Sequence, residues 1–238
     1  MPPLIIESGC LSPASIMAKD HSLLQEIKPG SDQPILHFYE WEGNCLTYGY
    51  FIQPADYLKL SEVKRVGLKM ARRPTGGGLI FHLTDFAFSI LIPSGHSSYS
   101  TSTLDNYAFV NQKVAQAIAH FKENQSLPNF YNEQVKCQGS CLPFCMAKPT
   151  IYDVMIENKK VGGAAQRRTK QGLLHQGSIS LALPPIDLLE SVLINSSELI
   201  ASMQDQSYFL LEKGWTPSQM NEARQRLKEN IIKAFSGL

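Results

Sequence analysis

Two glycine-rich, arginine-bearing segments hold the residues of this chain best suited to chemistry. The first reads Arg72-Arg73-Pro74-Thr75-Gly76-Gly77-Gly78-Leu79-Ile80-Phe81-His82, and the second Lys159-Lys160-Val161-Gly162-Gly163-Ala164-Ala165-Gln166-Arg167-Arg168. Gly76, Gly77 and Gly78 leave a backbone that a ligand can approach closely, because no Cβ intervenes. Ordering three glycines also costs more entropy than a plain turn would justify. The arginines beside them, Arg72 first, offer planar forks of donors to carboxylate, carbonyl or phosphate oxygens. No Gly-Lys-Ser/Thr follows the glycines and no GxGxxG pattern is present, so neither a Walker loop nor a dinucleotide fingerprint is expected. His82 reads either as a core histidine satisfied by backbone or as a site residue. Lys160 reads as a solvated turn lysine or, with Lys159 in that role, as an amine directed along the glycine-lined wall and able to move protons. Each segment runs into an apolar, strand-like stretch, so the two are expected to form two walls of one site.

Cys137, Cys141 and Cys145 recur at every fourth position. A metal site is one reading, but CxxC pairs and an obvious fourth ligand are missing. A reversible disulfide is a second. The third is a nucleophile, since a thiol becomes reactive as thiolate beside positive charge, which Lys148, Lys160 and the arginines supply. The residues alone do not choose among the three cysteines.

The elements that must position these groups alternate between helix and strand. Ser12-Pro13 forms an N-cap followed by proline at the first helical position, with Ile16, Met17, Leu23, Leu24 and Ile27 on the apolar face and Pro29-Gly30 as a stop. Ile35–Tyr39 and Cys45–Tyr50 read as strands on either side of the Glu42-Gly43-Asn44 turn. Phe86–Ile92 is an apolar strand, and Leu104–Phe121 carries helical spacing. Tyr152–Ile156 and the stretch from Ala164 bracket a hairpin turn at Glu157-Asn158-Lys159-Lys160. Thr216-Pro217-Ser218-Gln219 is a capping-box pattern, opening a helix that buries Met220, Ala223, Leu227, Ile231 and Phe235. Hairpin signals outnumber long crossovers, which predicts one α/β (α+β) domain over residues 1–238 with a mixed, mostly antiparallel sheet.

Composition sets the outer limits. The chain has 238 residues, 43% hydrophobic and 18% charged, with a formal net charge of +1. That balance gives no general attraction to nucleic acid or to anionic membrane, and neither is expected as a partner. No apolar run nears the roughly 20 residues of a membrane span, and no secretion signal is evident at Met1–Glu7. Five cysteines, an odd number, suit reduced thiols in a cytoplasm.

Taken together, the two glycine-rich segments resemble the lipoate-protein ligase and octanoyltransferase family. The resemblance runs from Ser15-Ile16-Met17-Ala18-Lys19-Asp20 through Phe38-Tyr39-Glu40-Trp41 to Leu174-His175-Gln176-Gly177-Ser178-Ile179. It implies the biotin/lipoate ligase catalytic fold, with an acyl tunnel beneath the glycine-rich loop; at 238 residues, no room is expected for the C-terminal accessory domain that many single-chain ligases carry. It also implies acyl and substrate contacts at Arg72, Gly76, Gly77, Gly78, His82, Gly163, Ala164, Gln166, His175, Gly177 and Ser178. Cysteine-dependent members carry a pattern like Cys-x-x-x-Pro-Ser/Thr-x-Tyr-Asp/Glu, and this chain reads Cys145-Met146-Ala147-Lys148-Pro149-Thr150-Ile151-Tyr152-Asp153. The ligases' Asn-Asp pair is missing. The resemblance therefore selects Cys145 as nucleophile and maps the essential lysine onto Lys160. It implies transfer of an octanoyl or lipoyl group from an acyl carrier protein or other donor, through a Cys145 thioester, to the lysine of a lipoyl domain. The recipients would be 2-oxoacid dehydrogenases or glycine cleavage H protein. No cofactor is needed on that reading; the alternatives are an ATP- and Mg-dependent ligase and a non-catalytic lipoyl-domain or acyl binder. The chain differs from the family pattern at Gly78, at Asp85 (two positions beyond the usual His-Asp), at Ala164 and at Gln176.

Overall fold

Residues 1–123, 128–130 and 151–237 are described by the computed structural model. Cys137, Cys141 and Cys145 lie outside the described residues. In chain order the elements are β1 (Leu4–Leu11), α1 (Pro13–Glu26), β2 (Ile35–Trp41), β3 (Cys45–Tyr48), α2 (Leu60–Arg65), β4 (Lys69–Arg72), β5 (Leu79–His82), β6 (Asp85–Pro93) and α3 (Thr103–Phe121). They continue with β7 (Asn129–Phe130), β8 (Val154–Ile156), β9 (Lys159–Arg168), β10 (Gly172–Ser180), α4 (Ile186–Val192), α5 (Ser196–Gln206) and α6 (Pro217–Phe235).

Local chemistry sets the helix starts. The Ser12 side chain accepts from the Ser15 N–H at the head of α1, with Pro13 in the first turn. Thr216 and Gln219 exchange side-chain and backbone hydrogen bonds at the head of α6, a complete capping box. The buried stripe of α6 is Met220, Ala223, Leu227, Ile231 and Phe235, as its spacing predicts. Burial of each large member contributes roughly 1.5–3 kcal/mol.

A seven-stranded sheet runs β1-β2-β6-β10-β9-β8-β7, and a three-stranded sheet runs β4-β3-β5. β1 pairs with β2 in parallel and β3 with β4 in parallel, while the other pairings are antiparallel. The sheet is therefore mixed and mostly antiparallel, as expected. The central strands β6 and β10 are buried along their whole length, because helices cover both faces. Phe88, Ile90 and Ile92 pack under α3 and α6, whereas Leu91 and Leu174 pack under Leu23 and Leu24 of α1. Glu157 and Asn158, with φ of 51° and 60°, make a two-residue hairpin turn between β8 and β9; the turn is shorter than the expected Glu157-Asn158-Lys159-Lys160, because Lys159 and Lys160 already pair with β8 as the first residues of β9. The strands flanking Glu42-Gly43-Asn44 belong to different sheets, so that turn carries the chain from one sheet to the other. Among the described residues no helix is long and apolar enough to cross a membrane.

Candidate active site

The glycine-rich loop joins β4 to β5, and Arg73 holds it from beneath. Its backbone N–H donates to the Tyr48 carbonyl at 2.8 Å. The buried guanidinium donates through Nη1 to Thr47 Oγ1 (2.8 Å) and through Nη2 to the carbonyls of Gly76 (3.0 Å) and Gly78 (2.7 Å). The loop also receives the Gly49 N–H on Gly78 O and the Tyr50 N–H on Thr75 O. Gly49 must lack a side chain, because an ideal Cβ there would stand 1.9 Å from the Gly77 carbonyl oxygen. Gly77 has a φ of 83°, in the left-handed region that glycine adopts readily. Arg72 faces outward instead, its guanidinium 4.8 Å above the Tyr50 ring.

His82 is buried and committed on both ring nitrogens. Nε2 lies 2.7 Å from Thr47 Oγ1 and Nδ1 lies 2.7 Å from Asp85 Oδ2. The Thr47 hydroxyl accepts from Arg73, and the Asp85 carboxylate, which can only accept, takes its hydrogen bond from His82 Nδ1–H. Ser178 Oγ donates to the same Asp85 oxygen at 2.7 Å, and the Trp41 ring stacks on His82 at 4.0 Å. Asp85, though displaced along the sequence, thus still reaches the histidine.

A second buried chain ties the loop to the large sheet. Thr75 Oγ1 donates to Gln176 Oε1 (2.7 Å), and Gln176 Nε2 donates to Asp20 Oδ2 (2.6 Å). Asp20 also accepts from Ser89 Oγ and lies 2.7 Å from His37 Nδ1. Burial, followed by the charge of Asp20, pushes the Tyr39 phenol well above its ordinary pKa.

Lys160 sits at the start of β9, 3% exposed, with Nζ 2.7 Å from Oδ2 of the fully buried Asp153. Asp153 Oδ1 accepts from the Tyr107 hydroxyl of α3 at 2.8 Å, and that hydroxyl oxygen accepts the Ala164 N–H at 3.0 Å. Gly163 is a necessity of this arrangement, since a Cβ there would meet Lys160 Cε at 2.5 Å and Nζ at 2.7 Å. Ala164 contributes its backbone.

Strand alternation divides the β10 residues between two faces. Gln176 and Ser178 join the loop and His82, while His175 and Gly177 face α3. Gly177 leaves room for Phe88, whose Cε1 would lie 2.7 Å from an added Cβ. His175 lies 2.8 Å from the Gln166 carboxamide and 5.7 Å, ring to ring, from Tyr107. Burial holds its imidazole down to a pKa of about 3, so it is neutral. The structure therefore brings Gly76–Gly78, His82, Gln176 and Ser178 together, and gathers Lys160, Gly163 and Ala164 beside Asp153. It sets His175 and Gln166 on the α3 side of the sheet.

Directly beneath the loop, Met17, Tyr39, Trp41, Ile80 and Gln176 enclose only about 10 Å³, room for about one water at most. Two larger spaces flank it. One, of about 460 Å³, is lined by α1, Tyr50, Arg72, Pro74 and Arg167. The other, of about 510 Å³, lies between the ends of β2 and β6 and α6. Among the described residues no cluster of His, Cys, Asp or Glu could hold a metal ion. Residue types alone did not single out Arg73, Thr47, Asp20 or Tyr107. Strand alternation at the Arg72-Arg73 pair was the available signal for the first.

A glycine-rich loop clamped by a buried arginine, and a buried lysine–aspartate pair on the same mixed sheet, define a class. Residues 12–231 match the family described as the lipoyl protein ligase A/B catalytic domain, and the chain belongs to that family. Among named relatives, it is 30% identical over 235 residues to the octanoyltransferase LipM of Brevibacillus brevis, covering 97% of this chain and 83% of the relative. Solved structures share the fold. A bi-partite lipoate protein ligase of Thermoplasma acidophilum superposes with a TM-score of 0.71 at 21% identity, over 98% of this chain and 84% of that one. A lipoate-protein ligase A bound with ATP gives 0.70 at 20% identity, over 98% and 86%.

Proposed function

We propose that this protein is an acyltransferase of lipoate metabolism, moving an octanoyl group from a thioester donor to the lysine of a lipoyl domain. The observation that carries the reading is Lys160, a buried amine held by Asp153 in the space that Gly163 leaves by lacking a Cβ. The named octanoyltransferase relative supports the same class of reaction. Cys145 is the nucleophile on its sequence pattern. Its thiolate attacks the donor's carbonyl carbon and the carrier sulfur leaves as a thiolate, giving an acyl-enzyme. The ε-amine of the lipoyl-domain lysine then attacks that thioester, an amide forms, and the amine proton ends on the departing Cys145 sulfur. Two bulky carriers can thus visit in turn.

Lys160 donates to the acyl carbonyl oxygen, with Asp153 and Tyr107 fixing its aim. Arg73 turns the carbonyls of Gly76 and Gly78 inward, and a trans peptide points its N–H the opposite way, so the Gly77 N–H faces away from Arg73 as a further donor. The acyl chain enters under the loop by displacing side chains, Met17 being the most adaptable of those lining the void. Each methylene it buries contributes about 0.8 kcal/mol. The reaction consumes no ATP, and the enzyme acts in the cytoplasm.

Intact-mass measurement after incubation with octanoyl-acyl carrier protein, without ATP, tests this. A hydroxylamine-labile adduct lost in Cys145→Ala is expected, with transfer slowed about 100-fold or more in Lys160→Ala. Loading of a lipoyl domain from free lipoate only when ATP is present would move the protein to the ligase reaction instead.

A further inference from the structure

Ser8, His37 and Asp20 form a hydrogen-bonded row that the transfer reaction leaves unused. Ser8 Oγ lies 2.8 Å from His37 Nε2, and His37 Nδ1 lies 2.7 Å from Asp20 Oδ1. His37 and Asp20 are fully buried, whereas Ser8 is partly exposed, so the row runs from the surface into the core. The second oxygen of Asp20 accepts from Ser89 Oγ and Gln176 Nε2, which fixes the orientation of the carboxylate. A carboxylate only accepts, so His37 donates through Nδ1–H, and the neutral ring turns its bare Nε2 towards the Ser8 hydroxyl. An imidazole in that tautomer and orientation can remove a serine proton, while the buried carboxylate steadies the imidazolium that forms.

The backbone at Ser8 departs from a plain strand. Register with β2 breaks between Glu7 and Cys10, and neither Ser8 nor Gly9 has a partner residue on β2. Gly9 has a φ of 65°, and among the described residues nothing lies within 4 Å of where its Cβ would stand. β1 is also the outermost strand of its sheet. A bulge on an edge strand re-aims one side chain and takes backbone N–H groups out of the ladder. Such groups are the donors an oxyanion takes. We propose that Ser8 and His37, positioned by Asp20, form a second catalytic site, a serine esterase centre for short-chain esters and thioesters. The bulge is open rather than tunnel-like, which suits a short acyl group. Ser8 Oγ attacks the carbonyl carbon, and its proton passes through His37 Nε2 to the departing alkoxide or thiolate. Water then gives a proton to His37 and attacks the acyl-serine, the acid is released, and Ser8 regains its proton.

Treatment of the full chain with an alkyl fluorophosphonate, read by intact mass and peptide mapping, tests the site in a Cys145→Ala background that lacks the thiol proposed for transfer. One phosphonyl adduct on Ser8 is expected, absent from Ser8→Ala and formed at least about 100-fold more slowly in His37→Gln. Hydrolysis of p-nitrophenyl butyrate in the same background should fall by at least about 100-fold in Ser8→Ala. Thermal unfolding of each variant accompanies both measurements. If His37→Gln does not fold, Ser8→Ala, a change at a partly exposed bulge, still decides the matter. No adduct on Ser8, or ester hydrolysis undiminished in Ser8→Ala, overturns the proposal. A Ser8→Ala variant that loses stability, from a parent that takes up no phosphonate, makes the row a structural tie between β1 and β2 and likewise overturns it.

Discussion

Gly163→Ala puts the proposed role of Lys160 to a quantitative test. The new methyl would lie 2.5 Å from Lys160 Cε and 2.7 Å from Nζ. To regain the 3.4 Å at which ordinary contact begins, the lysine tip must retreat by about 0.7–0.9 Å. The tip is flexible, so the fold accommodates the methyl cheaply. Its 2.7 Å contact with Asp153 does not survive unchanged, because hydrogen bonds weaken steeply beyond about 3.2 Å. A misplacement of this size at a reacting group is expected to cost about 100-fold in kcat, equivalent to roughly 2.7 kcal/mol of barrier. Stability should fall by only about 1 kcal/mol, a Tm shift of about 2–4 °C for a chain of this size. The assay is octanoyl transfer to a lipoyl domain, paired with thermal unfolding of the same sample. Gly177→Ala is the contrast: its methyl would stand 2.7 Å from the ring of the fully buried Phe88, which cannot swing away. There the loss should appear chiefly in Tm, with overpacking costing about 1–3 kcal/mol. If Gly163→Ala transfers octanoate within twofold of the parent, Lys160 does not act from the position described.

Gly49→Ala should destabilise the protein by more than about 3 kcal/mol, because its Cβ meets the Gly77 carbonyl, backbone against backbone, and no rotamer relieves it; an unchanged urea midpoint would refute this. His175 predicts an acid-side loss of stability. Its folded pKa of about 3 lies below the ordinary value of 6.5, so below pH 6.5 the unfolded chain takes up a proton that the native state refuses. Stability should fall as pH drops from about 6.5 towards 3, by roughly 3 kcal/mol at pH 4.5 and at most about 5 kcal/mol in all. Urea midpoints across that range should flatten in His175→Gln, and a variant with the parent's slope would remove His175 as the cause.

Much of the scaffold was legible because it depends on local chemistry. The Ser12 and Thr216 caps, the stripe of α6 and the Glu157-Asn158 hairpin are each specified within a few residues. The strand β1 was not, since most of its residues are exposed and its apolar alternation is weak; it exists by parallel pairing with β2, a long-range contact. The separation of β2 from β3 was hidden for a similar reason, because a turn signal states that the chain reverses and not which sheet receives it. At the candidate site, residue type drew attention to the loop, His82 and Lys160, and the structure adds their surroundings. It could not tell that Arg73 points inward while Arg72 points out. Nor could it place His175 and Gln176 on opposite faces, though strand alternation holds that information once β10 is recognised. Gln176 stood out as a departure from the family pattern, and its meaning came only with its partners: it bridges Thr75 to Asp20.

The two sheets meet like the covers of a book. The chain crosses between them twice, through Glu42-Gly43-Asn44 and through Leu83-Thr84, and Cys45 lies opposite His82 in the small sheet, so both crossings sit at the same end. Arg224 of α6 rivets one of them, donating to the carbonyls of Leu83 and Asp85 at 3.0 Å each. That end is the spine. At the other end the glycine loop overhangs the large sheet, and the Thr75–Gln176 hydrogen bond is a clasp across the opening. A force that parts the covers concentrates at the clasp and leaves the spine nearly unmoved, so the geometry around His82 and Asp85 outlasts any opening of the loop.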